Sequence, residues 1–166
     1  MDYGDFKKKL VLPAGFAAPR ELVYDDLVAS PLTREHLADD LHGVNTSVDL
    51  IRRTRGGPWP AGPVTEDFDC DDLVWHELEF RSESSFAYVV YTDDGEYVGC
   101  FYLYPLGGRT QLTEELLEYD VDVSWWVVPS AYERGDYSKL YGALQHWLAS
   151  EFPFWRPYYS NIEIPS

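Results

Sequence analysis

Three groups of residues have types and spacings that could do chemistry. Asp120 and Asp122 alternate through YDVDVSWWVVP (119–129). At strand spacing they share one face, and paired like charges raise one carboxyl pKa, which suits a proton acceptor. The competing reading is two solvated edge charges. WHELEF (75–80) puts His76 and Glu79 on one helical face, around Glu77. The pattern is HExE rather than HExxH, so the zinc-protease signature fails and no metal is expected. His76 and Glu79 are also ordinary surface or cap residues.

The third group, YERGDYSK (132–139), opens a helix. Backbone N–H groups there, from Arg134, Gly135, Asp136, Tyr137, Ser138 and Lys139, could hold a phosphate with help from the helix dipole. Gly135 would let the backbone approach closely. Asp136 brings a negative charge to that place, which Arg134 and Lys139 could offset. The alternative is a plain helix start capped by Asp136. No Ser or Cys has a convincing base partner for nucleophilic catalysis. Cys70 and Cys100 are isolated thiols without CxxC spacing.

The elements that position these groups follow from periodicity. Residues 1–26 lack a clear period and read as an extended arm; 27–166 read as one domain. Leu27–Leu32 is a short strand. Thr33 caps a helix whose apolar face is Leu37, Leu41, Val44, Val48 and Ile51. RGGPWPAGP (55–63) breaks the chain, with Trp59 as a loop anchor. Thr65 caps a second helix, acidic in its first turn, that runs to about Arg81. SFAYVVY (85–91) and EYVGCFYLY (96–104) flank Asp94-Gly95, a hairpin signal. A helical turn is expected at TEELLE. Residues 119–129 form the next strand, with Val121, Val123, Trp125 and Val127 on one face. Trp126, on the other, is expected to line a cleft; Trp75 and Phe80 are expected in the core. A helix over 137–151 and a last strand near 157–162 complete the order β-α-α-β-β-β-α-β. The fold class is α/β (α+β), a mixed and mainly antiparallel sheet flanked by helices.

This order, the Asp94-Gly95 hairpin, the strand DVDVSWWVVP and the helix AYERGDYSKLYGALQHWL resemble the GNAT superfamily of N-acetyltransferases. The resemblance covers roughly residues 27–164. It implies an acyl-CoA-dependent N-acyltransferase, with acetyl-CoA as co-substrate and direct transfer to a small amine or peptide amino group. Its Q/R-x-x-G-x-G/A motif falls on Tyr132–Tyr137, where only Gly135 matches. It implies that the last strand splays away, leaving backbone groups of Val127 and Val128 for the pantetheine arm. It places a base at Asp122, and the 76–79 helix beside the acceptor. Glu79 would hold a cationic amine. No tyrosine acid is singled out among Tyr141, Tyr158 and Tyr159. The alternative is a catalytically inactive ligand-binding or interaction module. A homodimer through exposed aromatics is a further expectation.

Composition narrows the partners. The 166 residues hold 13 Lys and Arg against 29 Asp and Glu, a net charge of −16. Nucleic acid and anionic membranes need clustered cations, so neither is expected. No apolar run approaches the roughly 20 residues that span a bilayer. Lys7–Lys9 before LVLPAGFAA imitate a leader, but Asp2, Asp5, Pro13 and Gly15 interrupt it, and the expected location is cytoplasmic. The acidity would suit a high-salt cytoplasm, where counterions screen its self-repulsion; the alternative is simply a soluble acidic protein. The melting temperature should therefore climb steadily from low to molar KCl. A flat response would contradict this origin of the charge.

Overall fold

The structure, a computed structural model, describes residues 9–166. Lys7, Lys8 and the first part of the expected arm lie outside the described residues. Six strands form one sheet in chain order: β1 (Leu22–Tyr24), β2 (Leu27–Pro31), β3 (Phe86–Thr92), β4 (Tyr97–Tyr104), β5 (Val121–Val127) and β6 (Pro157–Tyr159). Neighbours are antiparallel except β5 and β6, which run parallel. The parallel pair needs a crossover, supplied by α4 (Pro129–Arg134) and α5 (Asp136–Ser150). The remaining helices, α1 (Leu37–Asn45), α2 (Val48–Thr54) and α3 (Glu66–Arg81), lie between β2 and β3 in the chain. No helix among the described residues is long and apolar enough to cross a membrane.

The expected class holds, and so do several local signals. Thr65 Oγ1 accepts the Phe68 N–H at 3.2 Å, opening α3. Gly95 takes a left-handed φ of 94° in the β3–β4 turn, as a tight hairpin requires. TEELLE contains a 3-10 turn at Glu115–Glu118.

Three features differ. The expected arm contributes β1, because Asp25 adopts a left-handed φ of 51° and closes a hairpin without glycine. The single expected helix over Leu37–Ile51 is cut in two. Thr46 Oγ1 donates back to the carbonyls of His42 (2.9 Å) and Gly43 (3.2 Å), which ends α1. Gly135, at φ 91°, divides α4 from α5.

Two apolar layers sandwich the sheet. Val121, Val123, Trp125 and Val127 face the layer that holds α5. Trp126, Cys100 and Val89 face α1, α2 and α3. β4 and β5 approach so closely at Gly99 that any Cβ there would collide with the Trp126 carbonyl.

One buried carboxyl sits within this packing. Asp40 on α1 lies against Cys100 and is pushed up to about 9, mainly by burial and then by Asp69. A carboxyl whose folded pKa exceeds its unfolded value of 3.8 stabilises fully below 3.8, and that contribution fades as pH rises toward about 9. Asp40→Asn should therefore flatten the stability–pH profile between about pH 4 and pH 9, by up to about 1.4 kcal/mol per pH unit. Parallel profiles for the variant and the parent would show that Asp40 is already ionised in the fold.

Candidate active site

α3 brings its polar face against the sheet, and a cavity of about 400 Å³ opens between them. Asp72, His76 and Glu79 recur at helical spacing and line one wall. His76 Nε2 lies 3.4 Å from Asp72 and Nδ1 lies 3.8 Å from Glu79. Burial pushes Glu79 up, opposed by Ser85 and His76. His76 and Glu79 thus share the pocket, as their spacing suggests. Glu77 instead turns to Arg34, with a 2.7 Å ion pair. Trp75, expected in the core, is 61% exposed and stands at the rim, because the helix turns that side outward. Tyr102 and Tyr104 line the sheet side, and Arg55 and Arg109 the far wall.

The two aspartates part company. Asp122 is wholly buried, and its Oδ1 accepts the Ser160 hydroxyl at 2.6 Å. Its Oδ2 has no partner among the described residues. Burial pushes its pKa up, while Ser160, Arg109 and Arg55 oppose the rise. Arg109 Nη1 donates to Ser160 at 3.4 Å, so Asp122 is linked through one hydroxyl to the pocket wall. Asp120 lies before β5 begins, and both its oxygens accept backbone N–H groups, from Trp155 (2.7 Å) and Arg156 (3.1 Å). It fixes the approach to β6. The rise at Asp122 therefore comes from desolvation and owes nothing to a carboxylate pair.

On the other edge of β5 the backbone pairing stops early. β6 pairs only with Val121–Val123, and Ser160 N–H adds one bond to the Val123 carbonyl. Asn161 then acts as a substitute strand. Its Oδ1 accepts the Trp125 N–H at 3.1 Å, and its Nδ2 donates to the Trp125 carbonyl at 2.9 Å and to Tyr137 Oη at 2.8 Å. Tyr137 donates on to the Glu163 carbonyl. By strand alternation Val127 is the next residue on that edge. Val128 does not offer free groups as expected: its N–H bonds Val98 and its carbonyl accepts from Tyr132.

The helix start is likewise engaged. Asp136 is buried and holds Arg134 at 2.9 Å, while Lys139 pairs with Asp26 at 2.9 Å. Arg134 also reaches Glu96 at 3.3 Å. Tyr137 packs its ring 5.1 Å from that of Trp125, and Ser138 is exposed on the first turn of α5. Trp126, expected in a cleft, is fully buried and donates to Tyr102 Oη at 2.8 Å.

No family model and no curated protein matches the sequence. Solved structures do match. A ribosomal L7/L12 α-N-protein acetyltransferase in complex with coenzyme A superposes with a TM-score of 0.59 at 14% identity, over 76% of this chain and 66% of that one. The chain has the GNAT fold. An acetyltransferase from Salmonella typhimurium, described as modifying the N-terminal serine of L7/L12, gives 0.56 at 11% identity, over 78% and 68%. The microcin C7 self-immunity acetyltransferase MccE, in complex with acetyl-CoA and AMP, gives 0.57 at 10%, over 78% and 66%. The chain spans about two thirds of the length of these structures.

Within this GNAT fold, Arg55, Arg109, Ser160 and Asn161 were not legible as site residues. Arg55 reads only as the start of a breaker, and Arg109 as a loop cation. Asn161 holds β5 where β6 has ended, so Asn161→Leu should cost about 2–3 kcal/mol in denaturant unfolding, because it leaves buried Trp125 groups unpaired. A loss below about 0.5 kcal/mol would mean that water serves those groups equally well.

Proposed function

We propose that the chain is an acyl-CoA-dependent N-acyltransferase, with acetyl-CoA as co-substrate and an amine acceptor seated in the pocket under α3. The observation that carries this reading is the buried Asp122 carboxyl, with its 2.6 Å bond to Ser160, where β6 parts from β5. A protonated amine has no lone pair for attack, so the reaction needs a proton acceptor. Asp72 and Glu79 draw the cationic amine into the pocket. Ser160 Oγ takes the amine proton as its own passes to Asp122 Oδ1. The nitrogen then attacks the thioester carbonyl. The C–N bond forms, the C–S bond breaks, and the sulfur leaves with the bonding pair and takes the second proton from the nitrogen, giving a neutral amide and a free thiol. Burial keeps Asp122 basic enough for this role.

The donor fits the groove unevenly. The edge of β5 at Val127 suits an amide-bearing arm, and the N–H groups of the α5 start suit phosphate. Asn161 must give up Trp125 for the arm to advance toward Asp122. Asp136 must be outweighed by Arg134 and Lys139. These two residues favour a second reading, a catalytically inactive module that keeps the fold and binds a ligand in the pocket.

Calorimetry with acetyl-CoA separates the readings: the enzyme should give a saturable heat. Asp122→Asn should leave that heat nearly intact and slow acetyl transfer roughly 10²–10⁴-fold. An absent heat at millimolar donor selects the inactive module. A fully active Asp122→Asn removes the base from the mechanism.

A further inference from the structure

The acidic surface suggests a cationic acceptor, but the far wall of the pocket has the opposite sign. Arg55 is only 6% exposed. Its Nε donates to Ser124 Oγ at 3.0 Å, and its guanidinium stacks 4.5 Å from the centre of the Tyr102 ring. Neither Nη atom meets an acceptor among the described residues, and both belong to a side chain bordering the cavity. Arg109 lies against it, donating to the carbonyls of Arg55 (2.6 Å) and Gly56 (3.0 Å). Burial and the charge of Arg55 lower Arg109 to about 10. Among the described residues no carboxylate forms an ion pair with either arginine.

Two neighbouring guanidiniums, largely desolvated and without a counter-ion, destabilise a fold unless something anionic joins them. The described residues have acids to spare, yet none of them pairs directly with these two arginines. Asp122 is the nearest compensation, one hydroxyl away. Two cations facing one buried carboxyl leave room for a single further negative charge, which fits a carboxylate better than a phosphate dianion. Guanidinium forks match a carboxylate in shape as well as in sign.

We infer that the acceptor is an α-amino acid, its carboxylate held by Arg55 and Arg109 and its amine beside Ser160. This rests on the acceptor role proposed for the pocket. The spacing carries it: Arg109 Nη1 is 3.4 Å from Ser160 Oγ, so an anion on the arginines puts a group one carbon removed within reach of that hydroxyl. The side chain then points into a cavity walled by Trp59, Trp75, His76 and Glu79. A volume of about 400 Å³ accommodates a molecule of that size.

The test needs no donor. Calorimetry of the full chain is run with each common α-amino acid and with the amine that its decarboxylation gives. At least one amino acid should bind about tenfold or more tightly than its matched amine, the difference made by a charged hydrogen-bonded group. Arg109→Gln should erase that preference, and Arg55→Met should do the same if it folds. No binding by any amino acid, or equal binding of amino acid and amine, overturns the inference. Acetyl transfer assayed separately keeps the two readings distinct. Arginine-dependent binding without transfer leaves the anion subsite standing and removes the enzyme. Transfer to amines and amino acids alike keeps the enzyme and removes the subsite.

Discussion

The structure depends on how β5 satisfies its edges. All seven of its residues, Val121–Val127, are buried, so each backbone group needs a partner in a place with little water. β4 serves one edge throughout, in register from Tyr104–Asp122 to Gly99–Val127. β6 serves the other edge for three residues only. The missing partner is made from side chains, Asn161 on Trp125 and Tyr137 on Asn161 and Glu163. This substitution ties the end of the chain to the start of α5 and to the last carbonyl of α2, where Glu163 N–H bonds Thr54. It also gives the groove between β5 and β6 an occupant that the chain itself supplies.

The same parting of strands sets the electrostatics. Ser160 leaves β6 at the level of Val123 and turns its hydroxyl to Asp122. Asp122 sits in a protein of charge −16, yet the ionic groups it feels most are arginines. Arg55 ends α2 and Arg109 stands in the loop after β4, and both line the pocket. Several other cations are engaged by acids, as Arg134 is by Asp136 and Lys139 by Asp26. The far wall of the pocket is therefore basic, with Asp72 and Glu79 on the wall that α3 supplies.

Strands, turn glycines and caps were legible in the sequence because they depend on neighbours in the chain. The hairpin at Gly95 and the cap at Thr65 are local chemistry, and they stand where the residues place them. The β1 hairpin was not, since it relies on Asp25 accepting a conformation more common for glycine. The break at Thr46 was hidden because a threonine within an apolar period gives no sign of bonding backward. At the site, His76 and Glu79 were visible from helical spacing. Asp120 and Asp122 looked equivalent from alternation alone. What separates them is tertiary: one meets the chain returning at Trp155, the other is sealed beneath Ser160. Arg55, Arg109 and Asn161 are brought to the site from loops by long-range folding, which no periodicity records.

On the proposed reading, a donor enters along the β5 edge by displacing Asn161. Amide hydrogen exchange with and without saturating acetyl-CoA tests it most directly. The account predicts greater protection at Val127, and faster exchange through Asn161–Glu163 as the segment leaves Trp125 and Tyr137. Unchanged exchange at both places, with acetyl-CoA bound, would contradict it.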